Sequence, residues 1–341
     1  MYIRGIGAYL PAQRNTVQEA VISCGYPATY IEKDGYISTA IETTLFAPEM
    51  AELASREALI DAGTDGSDIN NLIYASIHWQ GYERLWNPAS YLQHQLSLRA
   101  ALPLNVQHGC NGGLLALQQV IGDKNSARKL LLVSADNFSH SGFSRWNADY
   151  GLIYGDAAVS TLFDPDNGFA EILFFHTQTI PELETLHRFE TPHCESEGSW
   201  LRDYDIKATK KHFLKQKSHQ SFMVPILSCL ESMKEKLLQE TNADRTKIKW
   251  LVAPFVGNSV REATYEKVFM PLCSRSFWSE GRRIGHTGAS DAMLGLYQLL
   301  NDEQLKVGDQ VLLVSAGAGF SCSVMLLEIT SELLQRRKSY D

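Results

Sequence analysis

The pentapeptide LLVSA occurs twice, at 131–135 within KLLLVSAD (129–136) and at 312–316 within DQVLLVSAGAG (309–319). Each copy has the apolar character and length of a buried strand. Each also follows a helical pattern that itself follows a loop of small residues. The first helix begins near Asn111, behind HGCNGG, and the second is GASDAMLGLYQLL (288–300). Helices alternating with apolar strands predict an α/β sheet. The same order in both halves predicts a duplicated fold with a site where the halves meet.

Outward from these strands the same rhythm holds. Pro48 to Ala62 reads as an amphipathic helix with Met50, Leu53, Ala54, Ala58 and Leu59 on one face. NLIYASI (71–77) reads as a buried strand, and Pro88 opens a helix through Leu98. In the second half a long helix is expected from Lys207 to Glu240, then strands at KIKWLVAPF (247–255) and SCSVMLLEI (321–329). The division falls near DPDNG (164–168), giving halves 1–166 and 167–341. The charged, aromatic stretch 180–206 reads as a long loop or cap.

With 341 residues the chain is long enough for two lobes. A net charge of −8 argues against nucleic acid as partner, and an acidic protein partner would need a local basic patch. No apolar run reaches bilayer length, and MYIRGIGAYLPAQ is too short and too polar afterwards for a secretory signal. Six scattered cysteines without a C-x-x-C pair favour reduced thiols and a cytoplasmic location. The histidines show no metal-binding spacing, so no metal is expected.

Three segments carry candidate chemistry. In VQHGCNGGLLAL (106–117), Cys110 precedes a helix, whose positive end would favour a thiolate. A small buried core cysteine fits the same stretch. In RRIGHTGASDAMLG (282–295), His286 lies in a glycine loop, and Asp291 five residues later could fix its tautomer. A plain helix cap, with Asp291 serving only the helix dipole, is the simpler reading of the pair taken alone. In SAGAGFS (315–321), backbone N–H groups could hold an oxyanion or simply form a turn between strands.

Taken together, these segments resemble ketosynthase III-type members of the thiolase fold over nearly the whole length. NVQHGCNGG resembles the family's nucleophile element, with Cys110 in the nucleophile slot. YGDAA (154–158) is similar to its F-G-D-G-A element, PFVGN (254–258) to P-H-Q-A-N, GHTGASD (285–291) to G-N-T-S-A-A-S, and GAGF (317–320) to the terminal G-G-G-F. The resemblance implies two duplicated α/β halves in an αβαβα arrangement and a homodimer packed through the N-terminal half. It implies no bound cofactor, the substrates being thioesters of coenzyme A or of a carrier protein's phosphopantetheine.

The departures are chemical. Condensing members of the family hold Cys, His and Asn, but here Phe255 stands in the histidine slot and His286 in the asparagine slot. Asp291 takes the family's serine position. A phenylalanine side chain donates no hydrogen bond, and loss of one such donor costs about 2.7–4 kcal/mol of stabilisation. The pattern resembles divergent ketosynthase III-like acyltransferases that use a Cys-His-Asp triad. That resemblance implies acyl transfer to an O, N or S acceptor, small or carrier-bound, through an acyl group on Cys110. It places the backbone N–H groups of Cys110 and Ala318 at the oxyanion, and Phe255 and Asn258 in the substrate pocket. A decarboxylating condensing enzyme, or a non-catalytic partner of one, is the alternative.

Overall fold

The computed structural model describes residues 1–83, 85–121, 128–140, 142, 144–189, 205–241 and 246–330. The first half runs β1 (Tyr2–Tyr9), β2 (Arg14–Thr16), α1 (Val17–Cys24), α2 (Thr29–Asp34), β3 (Ser38–Ala40), α3 (Ala47–Ala62), β4 (Asn71–Ala75), α4 (Pro88–Gln95), β5 (Leu102–Val106), α5 (Gly112–Ile121), β6 (Leu130–Asp136) and β7 (Ala157–Asp164). The second runs β8 (Ala170–Thr179), α6 (Ile206–Gln216), α7 (His219–Glu240), β9 (Ile248–Val252), α8 (Asn258–Arg261), α9 (Tyr265–Phe269), β10 (Arg275–Ser276), α10 (Trp278–Ile284), α11 (Asp291–Asn301), β11 (Gln310–Gly317) and β12 (Ser321–Ile329).

Ten strands form two runs of five with the same topology. One reads β5-β4-β6-β7-β1 and the other β10-β9-β11-β12-β8. In each, the first three strands are parallel and the last two antiparallel. The runs meet edge to edge where Tyr2 and Ile3 of β1 pair with Glu171 and Ala170 of β8. The two LLVSA copies occupy β6 and β11, equivalent positions in the runs.

Side-chain alternation along these strands builds the layers. Leu131 and Val133 face α3, packing with Met50 and Ala54, while Leu312 and Val314 face α7, packing with Leu230 and Met233. Leu132 and Leu313 point the other way, into a common core with Leu114 and Leu117 of α5 and Leu294 and Leu296 of α11. The order is therefore α3, sheet, α5 with α11, sheet, α7. The two buried helices start at the two segments singled out in the sequence, one just after Cys110 and one at Asp291 itself.

Several elements differ from expectation. The helix expected over 207–240 is two helices, because Ser218 caps the second by accepting from Ser221 N–H, leaving Lys217 extended. Leu53 is 46 % exposed, whereas Ala51 and Ser55 join the buried face of α3. The strand at 71–77 ends at Ala75, the helix from Pro88 ends at Gln95, and the strand at 247–255 is confined to Ile248–Val252. In the expected cap, Pro181–His187 is a 3-10 helix, and 190–204 lies outside the described residues.

Helix α3 packs so tightly on β1 that Gly7 has no room for a side chain: a Cβ there would sit 2.4 Å from the Ala54 carbonyl oxygen. Gly7→Val should therefore destabilise the protein by about 1–3 kcal/mol, read as a lower urea midpoint. An unchanged midpoint would mean that α3 is free to move off the sheet.

Candidate active site

Three of the residues proposed from sequence are brought together at the start of α5 and α11. His286 Nδ1 lies 2.6 Å from Asp291 Oδ2, and His286 Nε2 lies 2.9 Å from Cys110 Sγ. His286 and Asp291 are buried, and Cys110 is half-buried.

Asp291 is held from four directions. Oδ2 accepts from His286 and from the Phe255 backbone N–H at 2.7 Å. Oδ1 accepts from the backbone N–H and hydroxyl of Thr287, each at 2.7 Å. Every one of these contacts places a hydrogen-bond donor against the buried carboxylate beside the imidazole. The segment that could have been a helix cap is thus a platform for histidine. With Asp291 accepting at Nδ1, that nitrogen carries a proton and Nε2 faces the sulfur. Burial opposes a charge on His286, but Asp291 and Cys110 outweigh it and hold its pKa well above the ordinary 6.5.

The backbone of His286 is fixed as well. Its N–H donates to Ile153 O at 2.7 Å, and its carbonyl accepts from Gly155 N–H at 2.9 Å. Gly155 must be glycine, since a Cβ would fall 2.1 Å from Ile284 O. In the YGDAA element, Asp156 is fully buried and paired with Arg145 at 2.9 Å, anchoring the loop before it. The Tyr154 ring lies 5.6 Å from that of His286.

Glycines also let the Cys110 loop meet the loop after β11. A Cβ on Gly109 would lie 2.6 Å from Ala318 N, and one on Gly317 would lie 2.5 Å from Cys110 N. The amide nitrogens of Cys110 and Ala318 therefore belong to two backbones in direct contact. Ser315 Oγ donates to Cys110 O at 3.3 Å, and Asn111 Nδ2 donates to Ser321 Oγ at 2.9 Å, fastening the same junction.

Phe255 and Asn258 are placed differently. The Phe255 ring is 1 % exposed and packs at a tilt beside Phe277, their centroids 5.6 Å apart. Its main chain serves the site, donating to Asp291 and accepting from the Tyr36 hydroxyl at 2.6 Å. Asn258 accepts from Arg261 at 2.9 Å and lies against Gly35.

Sequence reading missed Thr287 and Asp136. Thr287 sits inside GHTG, where a hydroxyl beside the histidine was the available signal. Asp136 ends the first LLVSA strand, accepts from Ile77 N–H, Ala289 N–H and Gln80, and underlies Gly288. Burial pushes its carboxyl up to about 8. Nothing in KLLLVSAD marks that contact, which forms across 153 residues of chain. Among the described residues no cluster of metal-ligating side chains occurs, and no helix is long and apolar enough to cross a membrane.

The chain is similar in sequence and fold to proteins of the ketosynthase III type. Residues 238–329 match the model of the 3-oxoacyl-[acyl-carrier-protein] synthase III C-terminal region. The beta-ketoacyl-[acyl-carrier-protein] synthase III of Methylococcus capsulatus is 25 % identical over 335 residues, covering 95 % of this chain and 98 % of the relative. Among solved structures, the acyltransferase ChlB3 superposes with a TM-score of 0.86 at 27 % identity, covering 97 % of this chain and 98 % of that one. The 3-oxoacyl-[acyl-carrier-protein] synthase III from Aquifex aeolicus shares the fold, with a TM-score of 0.76 at 18 % identity and coverage of 96 % and 99 %.

The raised pKa of His286 sets a pH test. A group whose folded pKa exceeds its unfolded value stabilises fully below the unfolded pKa, about 6.5, and loses that contribution as pH rises through the folded value. Asp291→Asn removes the partner responsible, and breaking a buried pair costs about 3–5 kcal/mol. The stability gap between native protein and Asp291→Asn in urea should be widest below about pH 6.5 and narrow at alkaline pH. A gap that widens with rising pH would show that His286 is not held protonated.

Proposed function

We propose that this chain, a ketosynthase III-like protein of the thiolase fold, is a non-decarboxylating acyltransferase that works through an acyl group on Cys110. The observation that carries the reading is the Cys110–His286–Asp291 line, with Phe255 where condensing relatives have histidine. The likeness to the acyltransferase ChlB3 supports it.

The proton of Cys110 rests on His286, and the thiolate attacks the carbonyl of an acyl thioester on coenzyme A or a carrier protein. The amides of Cys110 and Ala318 stabilise the oxyanion. The carbon–sulfur bond to the donor breaks, and the departing thiolate takes the proton from His286. An acceptor hydroxyl, amine or thiol then gives its proton to His286 and attacks the Cys110 thioester. The tetrahedral intermediate expels the Cys110 thiolate, which leaves the acyl group on the acceptor. Asp291 holds the imidazole and stabilises its cationic form throughout. Phe255 keeps an apolar side chain where a condensing enzyme needs a donor to the enolate that follows CO2 loss. Such chemistry suits natural-product biosynthesis.

We also propose a homodimer through the N-terminal half. β5 is an edge strand of its run, with Leu102 66 % and Leu104 54 % exposed. An exposed apolar edge is a template for pairing with a second strand. Light scattering at micromolar concentration should give a dimer, and Leu104→Glu should shift it towards monomer. A native monomer would count against this assembly.

Intact-mass analysis tests the chemistry. The native chain should gain one acyl group from an acyl thioester, and Cys110→Ala should gain none. Asp291→Asn should load about 10²–10⁴-fold more slowly. Carboxyl-labelled malonyl thioester should release no labelled CO2 above background. Brisk release with a ketoacyl product would establish condensation instead.

A further inference from the structure

Asp136 is a buried acid that the acyl-transfer steps above do not use. It ends β6 in the first half of the chain, and its two oxygens serve different segments. Oδ1 accepts from Ile77 N–H at 2.9 Å and from the side-chain amide of Gln80, whose own oxygen accepts from Asn137 N–H at 2.7 Å. Oδ2 accepts from Ala289 N–H at 3.3 Å and lies against Gly288, where a Cβ would fall 2.1 Å away. Gly288 has a φ of +65°, so the chain bends tightly over the carboxyl at a residue that must be glycine. Ser290 Oγ ties the same turn to β6 a second time, donating to Ser134 O at 3.0 Å.

The 3-10 turn Gly288–Ser290 is what separates the His286–Thr287 pair from Asp291. Its position therefore sets how His286 Nδ1 meets Asp291 and how Nε2 meets Cys110, contacts of 2.6 and 2.9 Å. The donors to Asp136 are uncharged amides, and burial pushes its carboxyl up to about 8. Near neutral pH it is largely a neutral acid, so it acts on the imidazole through backbone placement more than through its own field.

We propose that Asp136 is a positioning residue that fixes the spacing of His286 and Asp291, so that the first half of the chain supplies the register of the base as well as the nucleophile; the inference rests on the acyltransferase reading above. Ile77 and Gln80 hold Oδ1, which leaves Oδ2 as a fixed anchor for Ala289 N–H. A turn displaced by about 1 Å would carry the bonds at both imidazole nitrogens out of hydrogen-bond range, and misplacement of that size costs about 10²-fold in rate. Only a carboxyl offers an acceptor oxygen to both sides. Asparagine keeps the shape but must turn its NH2 either to Ile77 and Gln80 or to Ala289, donor against donor.

The test measures acyl loading by intact mass, with acetyl, malonyl and octanoyl thioesters of coenzyme A and of an acyl carrier protein. With the best donor for the native chain, Asp136→Asn should load about 10–100-fold more slowly at saturation, with the half-saturating donor concentration unchanged. The downfield proton resonance of His286 Nδ1–H, assigned by its absence in His286→Ala, should move upfield. Ala289→Pro removes the donor from the other side of the same bond, in a first helical turn where proline is tolerated, and should reproduce both effects. The two changes together should cost no more than the larger one alone, because they break one contact. Gly7→Val is the purely structural control: its urea midpoint should fall while loading and the resonance stay native. A folded Asp136→Asn that loads at the native rate with the resonance in place would overturn the proposal, as would losses that multiply in the double variant. Should Asp136→Asn not fold, native loading by Ala289→Pro would overturn it. If no thioester loads the native chain, the acyltransferase reading fails, and the Nδ1–H resonance in the two variants judges Asp136 by itself.

Discussion

The arrangement depends on one imidazole kept between a carboxylate and a thiol. His286 can hold that place only because Asp291 fixes its Nδ1 side and is itself saturated by donors from Thr287 and Phe255. A carboxylate buried to this depth without such donors would be strongly disfavoured. With them, it raises the basicity of the histidine and sets which nitrogen meets Cys110. The charge network and the backbone are inseparable, since two of the four donors are main-chain N–H groups whose positions are set by the fold.

Duplication explains why the parts converge. α5 and α11 are equivalent helices in the two five-stranded runs, and both are buried in the shared layer between the sheets. One begins after the nucleophile candidate and the other at the carboxylate. Each half therefore supplies one side of a single site. Glycine is what allows contact at that seam: Gly109 against Ala318, Gly317 against Cys110, and Gly155 against Ile284 leave no space for a Cβ.

The replacement at Phe255 changes what the seam can stabilise. Its ring packs into the apolar core beside Phe277, while its main chain still supports Asp291. A position that could have carried a donor for an enolate is instead part of the scaffold for the histidine. In the acyl transfer proposed above, one proton shuttle at the sulfur suffices, whereas decarboxylation would call for charge stabilisation away from it.

Local sequence alone indicated the alternation of helices and strands and singled out the candidate residues. Apolar runs of strand length, the LLVSA repeat and small-residue loops before helices are short-range patterns, and they suffice to name an α/β duplication and to single out Cys110, His286 and Asp291. Helix ends were less legible. Whether the chain stops at Lys217 or continues depends on a single capping serine. Leu53 looked like core because period alone does not reveal which flank of an apolar stripe meets the sheet. Only the tertiary structure decided that Cys110 and His286, 176 residues apart, lie 2.9 Å from each other. It also decided that Asp136 underlies the histidine loop and that Phe255 contributes a backbone donor in place of a side chain. Those relations depend on how closely two sheets and two buried helices pack. That distance is set by glycines and core volumes from both halves at once, so no single stretch of sequence carries it.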